Sequence, residues 1–497
     1  MRGEFTWNLE ADVVVVGYGA AGATAAITAH DAGARVLMLE KAPERYKGGN
    51  SRVSANGIFI PCDIEKVIRY FEALCGPYRD HISDAMVRAW AEEMCANRGW
   101  LEALGADLVR WEQAEFPDLP GADCVETFLH GKGSPGQARL WDQVIEPAVA
   151  ARGVEVRYET AGSRLIKDGK GRIVGVRAAC GESEIFIKAR RGVVLTCGGF
   201  ENNQVLIRNY LHDLPYCYTM GTPYNTGDGI LMALDVGADL WHMNNIAGPY
   251  LYFKAPDYEI STRLRMPGTN YIHVARDGTR FMAEAPTLVL EEGRYIYPEK
   301  HGKRLSHGRY VQNPAPVPIY LIFDEMVCSA GAVCGEPAGW NWSWEVIYGN
   351  LYQWSGDNHR EIEKGWIRQA PTIGELARTV NLDAGQLERT VERYNGFCRH
   401  GKDDDFDRTK ETLKPIETPP FYLLELSPTL INTQGGPRRN EKAQIVDTFG
   451  APIPRLYSAG ELGSIYSFLY QGGGNLAECF AFGRIAGRNA ASETPWD

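Results

Sequence analysis

The sequence predicts an α/β fold in which one domain is built from both ends of the chain and carries an inserted domain. Near the N-terminus, a glycine-rich turn separates two short apolar runs. After Ile431 the sequence becomes glycine-rich and strand-like again, and it ends in a helical pattern. Between residues 246 and 420 the pattern differs: this segment contains many aromatic residues and prolines, and its apolar runs are short. Because the two ends resemble each other and the middle differs, we predict a domain inserted into another.

The length and charge of the chain limit its architecture and partners. A chain of 497 residues is too long for one compact core. We predict one domain formed by residues 1–245 and 421–497, and an inserted domain over residues 246–420. The formal net charge is −11 and no Lys/Arg-rich run occurs. The sequence therefore lacks the basic footprint that a nucleic-acid partner requires.

The cysteines and the N-terminal segment indicate the compartment. The 11 cysteines form no CxxC pair, which is typical of buried free thiols in a reducing compartment. The acidic N-terminal segment leaves no room for a secretory signal, and no apolar run approaches the roughly 18 residues of a membrane helix. We therefore expect a cytoplasmic protein without a membrane span.

The histidines do not indicate a metal site. His130, His242 and His273 show no metal-ligand spacing, so no metal is expected.

The N-terminal segment predicts a βαβ unit. Val13–Val16 is a short β-branched run typical of a buried parallel strand. A helix is expected from about Ala20 to Ala32, and a second strand over Arg35–Leu39. Further patterns predict a helix over Ser83–Leu104, strands over Val154–Glu159, Ile173–Arg177, Ser183–Ile187, Val193–Leu195 and Arg455–Ser458, a hairpin turn at Arg276–Gly278, and a final helix from about Leu476 to Ala491.

The turn of this unit carries a dinucleotide-binding pattern. Gly17, Gly19 and Gly22 form GxGxxG directly after a strand and at the start of a helix. The glycines permit a tight turn and a close approach to a pyrophosphate, which the positive end of the helix dipole stabilises. Glu40, at the end of the second strand, is positioned to accept hydrogen bonds from an unphosphorylated ribose. This pattern predicts a Rossmann-like domain, but alone it does not separate FAD from NAD.

Two more segments suit contact with a cofactor. Gly48–Ser51, followed by Ser54, Asn56 and Gly57, offers small hydroxyl and amide groups on a loop. Taken alone, this loop is a Gly/Asn/Ser turn. Near the C-terminus, Gly472–Gly474 lead into a helix that starts near Asn475. Glycines before a helix expose backbone N–H groups to a neighbouring ligand.

Over nearly the whole chain, these segments resemble the fumarate reductase/succinate dehydrogenase flavoprotein superfamily. The resemblance implies that the cofactor is FAD. It also implies a discontinuous Rossmann-like FAD-binding domain, an inserted α+β substrate or cap domain, and an FAD-dependent oxidoreductase acting on CH–CH groups. The motifs follow the family order: VVLTCGGFENN (193–203), NTGDG (225–229), DGTRFMAE (277–284), YLIFDE (320–325), RYNGFCRHGKDDDFDR (393–408), AQIVDTFGAPIPRLYSAGE (443–461) and GGGNLAECFAFGRIAG (472–487).

The resemblance also implies which residues contact FAD. The histidine that holds FAD covalently in the respiratory enzymes corresponds to Ser51, so we expect non-covalent binding. The implied contacts are Gly17, Gly19, Ala21, Gly22, Glu40, Lys41, Gly49, Asn50, Ser51, Asn56, Gly57, Gly199, Asp228, Gly460, Glu461, Gly474, Asn475 and Leu476.

The chain departs from the fumarate reductase pattern at the substrate. The two arginines of those enzymes correspond to Cys328 and Gln471, and their two histidines correspond to Asn432 and a position near Pro249. Each charge-assisted contact contributes about 1.5–3 kcal/mol, so a site without these cations should bind a dicarboxylate poorly. Arg438 and Arg439 are candidates for contact with a substrate carboxylate, although we expect them to be exposed or paired with the acidic surface.

Tyr470, Gly472 and Gly474 resemble the Tyr-x-Gly-x-Gly pattern of the 3-ketosteroid Δ1-dehydrogenases. The resemblance implies that the Tyr470 hydroxyl and the Gly474 N–H bind a substrate ketone as an oxyanion hole. A Pro-Tyr base of those enzymes is absent here, where Thr287 follows proline. The candidate bases are Tyr295, Tyr297, Tyr320 and Tyr466, of which we select Tyr295.

The predicted function is FAD-dependent α,β-dehydrogenation of a cyclic ketone, 3-ketosteroid-like or smaller. The β-carbon gives a hydride to flavin N5 while a tyrosine base takes the α-proton. The alternative is a flavin-dependent ene-reductase of a conjugated enone or enoate. A third class is an FAD-carrying electron-transfer or assembly subunit. The expected partners are a small-molecule ketone and an electron acceptor of unspecified identity. Arg280 and Glu284 are expected to form a structural ion pair.

Overall fold

The computed structural model describes residues 6–132, 136, 138–284, 289–291, 294–296, 299–306, 309–334 and 352–496. For residues 112, 113, 289–291, 294–296 and 299 it describes the backbone alone.

The main sheet has eight strands and is formed by residues from both ends of the chain. Its parallel centre pairs Leu9–Val16 with Val36–Leu39 on one side and with Ser183–Leu195 on the other. Val13–Val16 are all buried, as the β-branched run predicted. The strands are Leu9–Val16, Val36–Leu39, Glu155–Arg157, Thr160–Lys167, Ile173–Cys180, Ser183–Leu195, Gln444–Val446 and Pro452–Ser458.

Two helices pack closely against each other beside this sheet. Ala20–Asp31 follows the glycine turn, and Gly474–Ser492 ends the chain. A Cβ on Gly483 would lie 2.7 Å from Thr24 Cβ, and one on Gly487 would lie 2.5 Å from a carbonyl oxygen of the first helix. Small residues therefore allow the two helix backbones to approach each other closely.

The second sheet has six strands, and Phe421–Leu430 lies at its centre. This strand pairs with Ile319–Asp324 and with Ile367–Ala370, although the predicted boundary at residue 420 assigned it to the other domain. We keep the two-domain division as a proposal, with residues 421–430 moved to the inserted domain. The strands are Tyr218–Thr219, Tyr250–Tyr252, Tyr271–Val274, Ile319–Asp324, Ile367–Ala370 and Phe421–Leu430.

One predicted break in the main sheet is wrong. Ser183–Ile187 and Val193–Leu195 were expected as separate strands, but Ser183–Leu195 is one strand of 13 residues. Lys188, in the middle of this strand, lies 3.3 Å from Glu10 on the neighbouring strand, so its charge is paired across the two strands.

Smaller sheets and the remaining helices complete the fold. The described helices include no segment long and apolar enough to cross a membrane. The small sheets comprise Ile58–Pro61, Leu108–Gln113 and Val125–His130; Glu299–Lys300, Lys303–Ser306 and Arg309–Gln312; Val289–Glu291 with Arg294–Ile296; Leu240–Trp241 with Gly436–Pro437; and Ile246–Ala247 with Asn432–Thr433. The other α-helices are Gly49–Val53, Ile64–Cys75, Asp84–Ala103, Glu146–Ala151, Gln204–Tyr210, Asp228–Asp235, Glu325–Cys328, His359–Glu363, Ile373–Arg378 and Ala384–His400.

Candidate functional site

A cleft of about 770 Å³ opens at the carboxyl ends of the central parallel strands. Its walls include Val16, Leu39 and Thr196, the residues at or just after the ends of three strands. Ligands of open α/β sheets bind at this edge. Most predicted cofactor residues of the N-terminal half line the cleft: Gly17, Gly19, Ala21, Glu40, Lys41, Gly49, Asn50, Ser51 and Asp228.

The three glycines of the turn have different roles. A Cβ on Gly22 would lie 2.0 Å from the Gly17 carbonyl oxygen, and one on Gly17 would lie 2.5 Å from the Thr196 carbonyl oxygen. These two positions require glycine for packing. A Cβ on Gly19 would meet nothing closer than Ser51 Oγ at 3.6 Å, and the φ of Gly19 is −97°. The chain itself does not require glycine at residue 19, and the space in front of it is available to a group bound in the cleft, as predicted for a pyrophosphate close to the backbone.

Glu40 stands at the far end of the same cleft. Its carboxylate accepts hydrogen bonds from the Tyr18 N–H at 2.8 Å and from the Ala42 N–H at 2.7 Å. Burial raises its pKa above the ordinary value. Each oxygen retains a further lone pair, so the carboxylate fits the ribose contact predicted for it.

The loop after the βαβ unit contacts the start of the first helix. Ser51 Oγ accepts from the Ala20 N–H at 3.0 Å, which anchors this loop beside the glycine turn. Asn50 Nδ2 donates to Glu201 Oε1 at 2.8 Å. At the cleft rim, Lys41 Nζ donates to Asp228 Oδ2 at 2.5 Å. Sequence reasoning did not include Glu201, which lies 151 residues from Asn50.

A second cavity of about 1010 Å³ adjoins the cleft, sharing Asn50, Ser51, Glu461 and Cys479 with it. Tyr470 lines this cavity and is 6% exposed. None of the described residues that line it is arginine or lysine. The charged or titratable side chains in its described wall are Glu115, His301, Glu461, Tyr470 and Cys479, and its other walls are formed mainly by Val53, Ala55, Asn56, Gly57, Trp111, Met220, Ile431, Asn432, Gly472, Gly473, Asn475 and Leu476.

The Tyr470 phenol is suited to donate a hydrogen bond. Burial, followed by the charges of Glu115 and Glu461, raises its pKa well above the usual value near 10. The hydroxyl therefore keeps its proton throughout the neutral range. The expected second donor differs: the Gly474 N–H already donates to the Gln471 carbonyl oxygen at 2.8 Å. Gly474 thus closes a turn, and its N–H does not serve as the predicted partner of Tyr470.

The substituted fumarate reductase positions carry no charge into the cavity. Asn432 lines it, whereas the Gln471 side chain accepts hydrogen bonds from Tyr70 Oη at 2.7 Å and from the Glu115 N–H at 2.9 Å. Cys328 is buried in a separate apolar cluster. The described part of the cavity wall therefore holds no arginine or lysine to pair with a dicarboxylate.

The arginine pair after Gly436 also points elsewhere. Arg438 lies 3.5 Å from Asp239 at a partly exposed position. Arg439, which we expected on the surface, is fully buried, and this expectation is wrong. Its guanidinium is paired with Glu478 and donates to the Leu462 carbonyl oxygen at 3.1 Å. The pair supports the Gly460 turn beneath the cofactor cleft, and Arg439 Nη1 also donates to the Gly460 carbonyl oxygen at 3.3 Å.

The four tyrosines considered as the base lie in different parts of the structure. Tyr297 and the side chain of Tyr295 lie outside the described residues. Tyr320 is buried in an apolar cluster of the second sheet. Tyr466 is fully buried, and burial raises its pKa well above the usual value. Neither Tyr320 nor Tyr466 lines the cavity.

Arg280 and Glu284 form a structural cluster, as expected. Arg280 Nη2 donates to Glu284 Oε2 at 2.7 Å and to Asp403 Oδ2 at 2.8 Å. Arg408 Nη1 also donates to Glu284 Oε2, at 3.3 Å. This buried network ties the DGTRFMAE segment to the acidic segment that follows the helix Ala384–His400.

Gly19→Val is expected to abolish most FAD binding. The valine Cβ would lie no closer than 3.6 Å to any atom of the neighbouring chain segments, so the side chain would project into the cleft in front of the predicted pyrophosphate-binding turn. FAD affinity should fall at least about tenfold, or ~1.4 kcal/mol. The bound fraction is measured by absorbance after desalting, with Gly169→Ala as the control, since a Cβ there meets nothing within 4 Å. Unchanged FAD content in Gly19→Val would contradict the assignment of this turn.

Comparison with known proteins identifies the family. Residues 12–476 match the FAD binding domain family. A probable fumarate reductase from Shewanella frigidimarina is 27% identical over 96% of this chain and 74% of its own length. A 3-oxosteroid 1-dehydrogenase from Mycobacterium tuberculosis is 26% identical over 97% of this chain and 99% of its own length.

A solved structure supports the same fold. The 3-ketosteroid Δ1-dehydrogenase from Sterolibacterium denitrificans, in complex with 1,4-androstadiene-3,17-dione, aligns with a TM-score of 0.72 at 23% identity over 97% of this chain and 99% of its own. Within the described residues, no three His, Cys, Asp or Glu side chains converge as metal ligands would. The chain belongs to the FAD binding domain family and is an FAD-dependent oxidoreductase.

Proposed function

We propose that this enzyme removes hydrogen from the α and β carbons of a cyclic ketone, 3-ketosteroid-like or smaller, and forms a conjugated enone. One observation carries the proposal: Tyr470 lines a largely apolar cavity whose described wall holds neither arginine nor lysine. A substrate carboxylate would need charge-assisted partners. A ketone needs only neutral donors beside its oxygen.

The chemistry follows from the protonated phenol. Tyr470 donates a hydrogen bond to the ketone oxygen, which stabilises negative charge on that oxygen and makes the α-hydrogen acidic. A base then takes the α-proton, and Tyr295 remains the candidate that the sequence suggests. FAD held by the glycine turn in the adjoining cleft would supply the two-electron acceptor for the hydride of the β-carbon. The apolar walls exclude water from the reacting carbons.

The relatives support both directions of this chemistry. One is named 3-oxosteroid 1-dehydrogenase, and another is named digoxin reductase. The second candidate function is therefore reduction of an enone or enoate at the same cavity. The electron acceptor or donor that completes the cycle decides the direction.

An anaerobic spectral screen tests substrate class and direction together. Purified holoenzyme is mixed with saturated cyclic ketones, and loss of the oxidised flavin absorbance is recorded. We expect bleaching by at least one ketone. If ketones leave the spectrum unchanged while enones reoxidise dithionite-reduced enzyme, the reductase function replaces the dehydrogenase function. If neither class reacts, both are contradicted.

A further inference from the structure

His301 lies at the cavity on a hairpin turn that other backbone segments fix in place. The Gly248 N–H donates to the His301 carbonyl oxygen at 2.9 Å. A Cβ on the next residue, Gly302, would lie 1.9 Å from the Gly248 carbonyl oxygen. The turn therefore packs closely against the backbone just before the strand Tyr250–Tyr252. His301 itself adopts φ 51°, and 8% of the residue is exposed.

A carboxylate from a distant segment orients the imidazole. His301 Nε2 donates to Glu115 Oε2 at 2.9 Å. Burial alone would raise the pKa of Glu115, but the adjacent His301 and Lys300 lower it to about 2. The same carboxylate oxygen accepts from the Gly472 N–H at 2.7 Å. Glu115 therefore joins the hairpin to the turn that carries Tyr470, and its hydrogen bond directs the proton of the neutral imidazole to Nε2.

The second ring nitrogen is held more loosely. His301 Nδ1 lies 3.3 Å from Tyr250 Oη, a half-buried phenol. The imidazole ring also packs on Tyr470, with 4.2 Å between ring centroids. With Nε2 protonated, Nδ1 carries the basic lone pair, and the only hydrogen bond it accepts from the described residues is the long one from Tyr250 Oη.

We propose that His301, oriented by Glu115, is the base that removes the substrate α-proton. This inference rests on the proposed function. The α C–H bond breaks, its proton moves to Nδ1, and its electron pair forms the new double bond as the β-carbon loses a hydride to FAD, which is reduced by two electrons. After the transfer, the imidazolium is paired with the Glu115 carboxylate and its Nδ1–H donates to Tyr250 Oη, which keeps its own proton. The ring returns the added proton to solvent before the next turnover. Glu115 is a positioning residue in this scheme.

The described tyrosines at and beside the cavity are poorly suited to act as the base. Tyr470 and Tyr466 keep their protons because burial raises the pKa of both. Among the described residues of the cavity wall, His301 is the side chain that carries a basic nitrogen. Its surroundings are Glu115, Lys300, Tyr250 and Tyr470, with Glu461 lining the same cavity.

The test is the pH dependence of anaerobic flavin reduction, with a saturated 3-ketosteroid and cyclohexanone as probes. In wild type, the rate should rise with pH as the imidazole loses its proton. His301→Gln should slow reduction by about 10²-fold or more and remove this acidic limb. His301→Gly suits the positive φ, and added imidazole should restore part of its rate. Glu115→Gln should shift the limb to lower pH, because loss of the carboxylate disfavours the protonated ring.

The controls separate this inference from the proposed function. His359→Gln changes an exposed histidine outside the cavity and should react like wild type. If neither ketone reduces the flavin of the wild-type enzyme, the proposed function itself is contradicted. Normal rates and pH profiles in the His301 variants, with loss of both in Tyr295→Phe, contradict only the assignment of His301. If both His301 variants lose FAD, Glu115→Gln decides, and an unshifted limb overturns the proposal.

Discussion

Tyr470→Phe is expected to slow flavin reduction by a ketone about 10²-fold or more, since removal of one oxyanion-hole donor has effects of this size. The phenylalanine ring keeps the wall of the cavity and its packing against His301. The loss should therefore fall on the rate constant for reduction, with a smaller change in ketone affinity. Stopped-flow spectroscopy over a range of ketone concentrations measures the two quantities separately.

Tyr466→Phe is the matched control for this change. The two rings are neighbours, with 5.7 Å between centroids, but Tyr466 does not line the cavity. Its hydroxyl is buried without a hydrogen-bond partner among the described residues, so its removal should leave the rate within about threefold. Equal rates for Tyr470→Phe and Tyr466→Phe would show that Tyr470 serves only in packing.

Glu478→Ala is expected to destabilise the folded protein by about 3–5 kcal/mol, because it leaves the buried Arg439 charge without its partner. The lost carboxylate also accepts from Ser464 Oγ at 2.6 Å and from the Ile465 N–H at 2.8 Å. Denaturant unfolding of the FAD-free protein measures the effect, so that loss of the cofactor does not contribute.

Arg438→Ala tests the neighbouring arginine in the same assay. This side chain is partly exposed and lies 3.5 Å from Asp239. A surface pair of this kind contributes about 0–1 kcal/mol. If Glu478→Ala costs no more than Arg438→Ala, the buried pair does not support the fold around Gly460.

The features predicted correctly from sequence depend on local patterns. The β-branched run Val13–Val16 and the glycine spacing after it specify a strand and a tight turn through backbone sterics alone. The residues that line the cleft follow from that turn. The resemblance of ordered motifs then identified FAD, which the family match confirms.

The features that sequence reasoning missed are long-range. Glu115 and His301 are 186 residues apart and lie in segments without a recognisable motif. Their contact depends on how a hairpin of the second half packs against the glycine turn at Gly472. The hydrogen bond of the Gly474 N–H depends on the geometry of a turn, which the amino-acid sequence alone does not show. Burial of Arg439 follows from its pairing with Glu478, which lies 39 residues away.

A neutral donor, the Tyr470 hydroxyl, is expected to bind the substrate ketone beside the flavin. A crystal structure of the oxidised holoenzyme with a bound cyclic ketone measures this most directly. The account predicts the ketone oxygen at about 2.7 Å from Tyr470 Oη, with no arginine or lysine nitrogen within salt-bridge distance. A ketone bound away from Tyr470, or an arginine or lysine nitrogen at its oxygen, would contradict it.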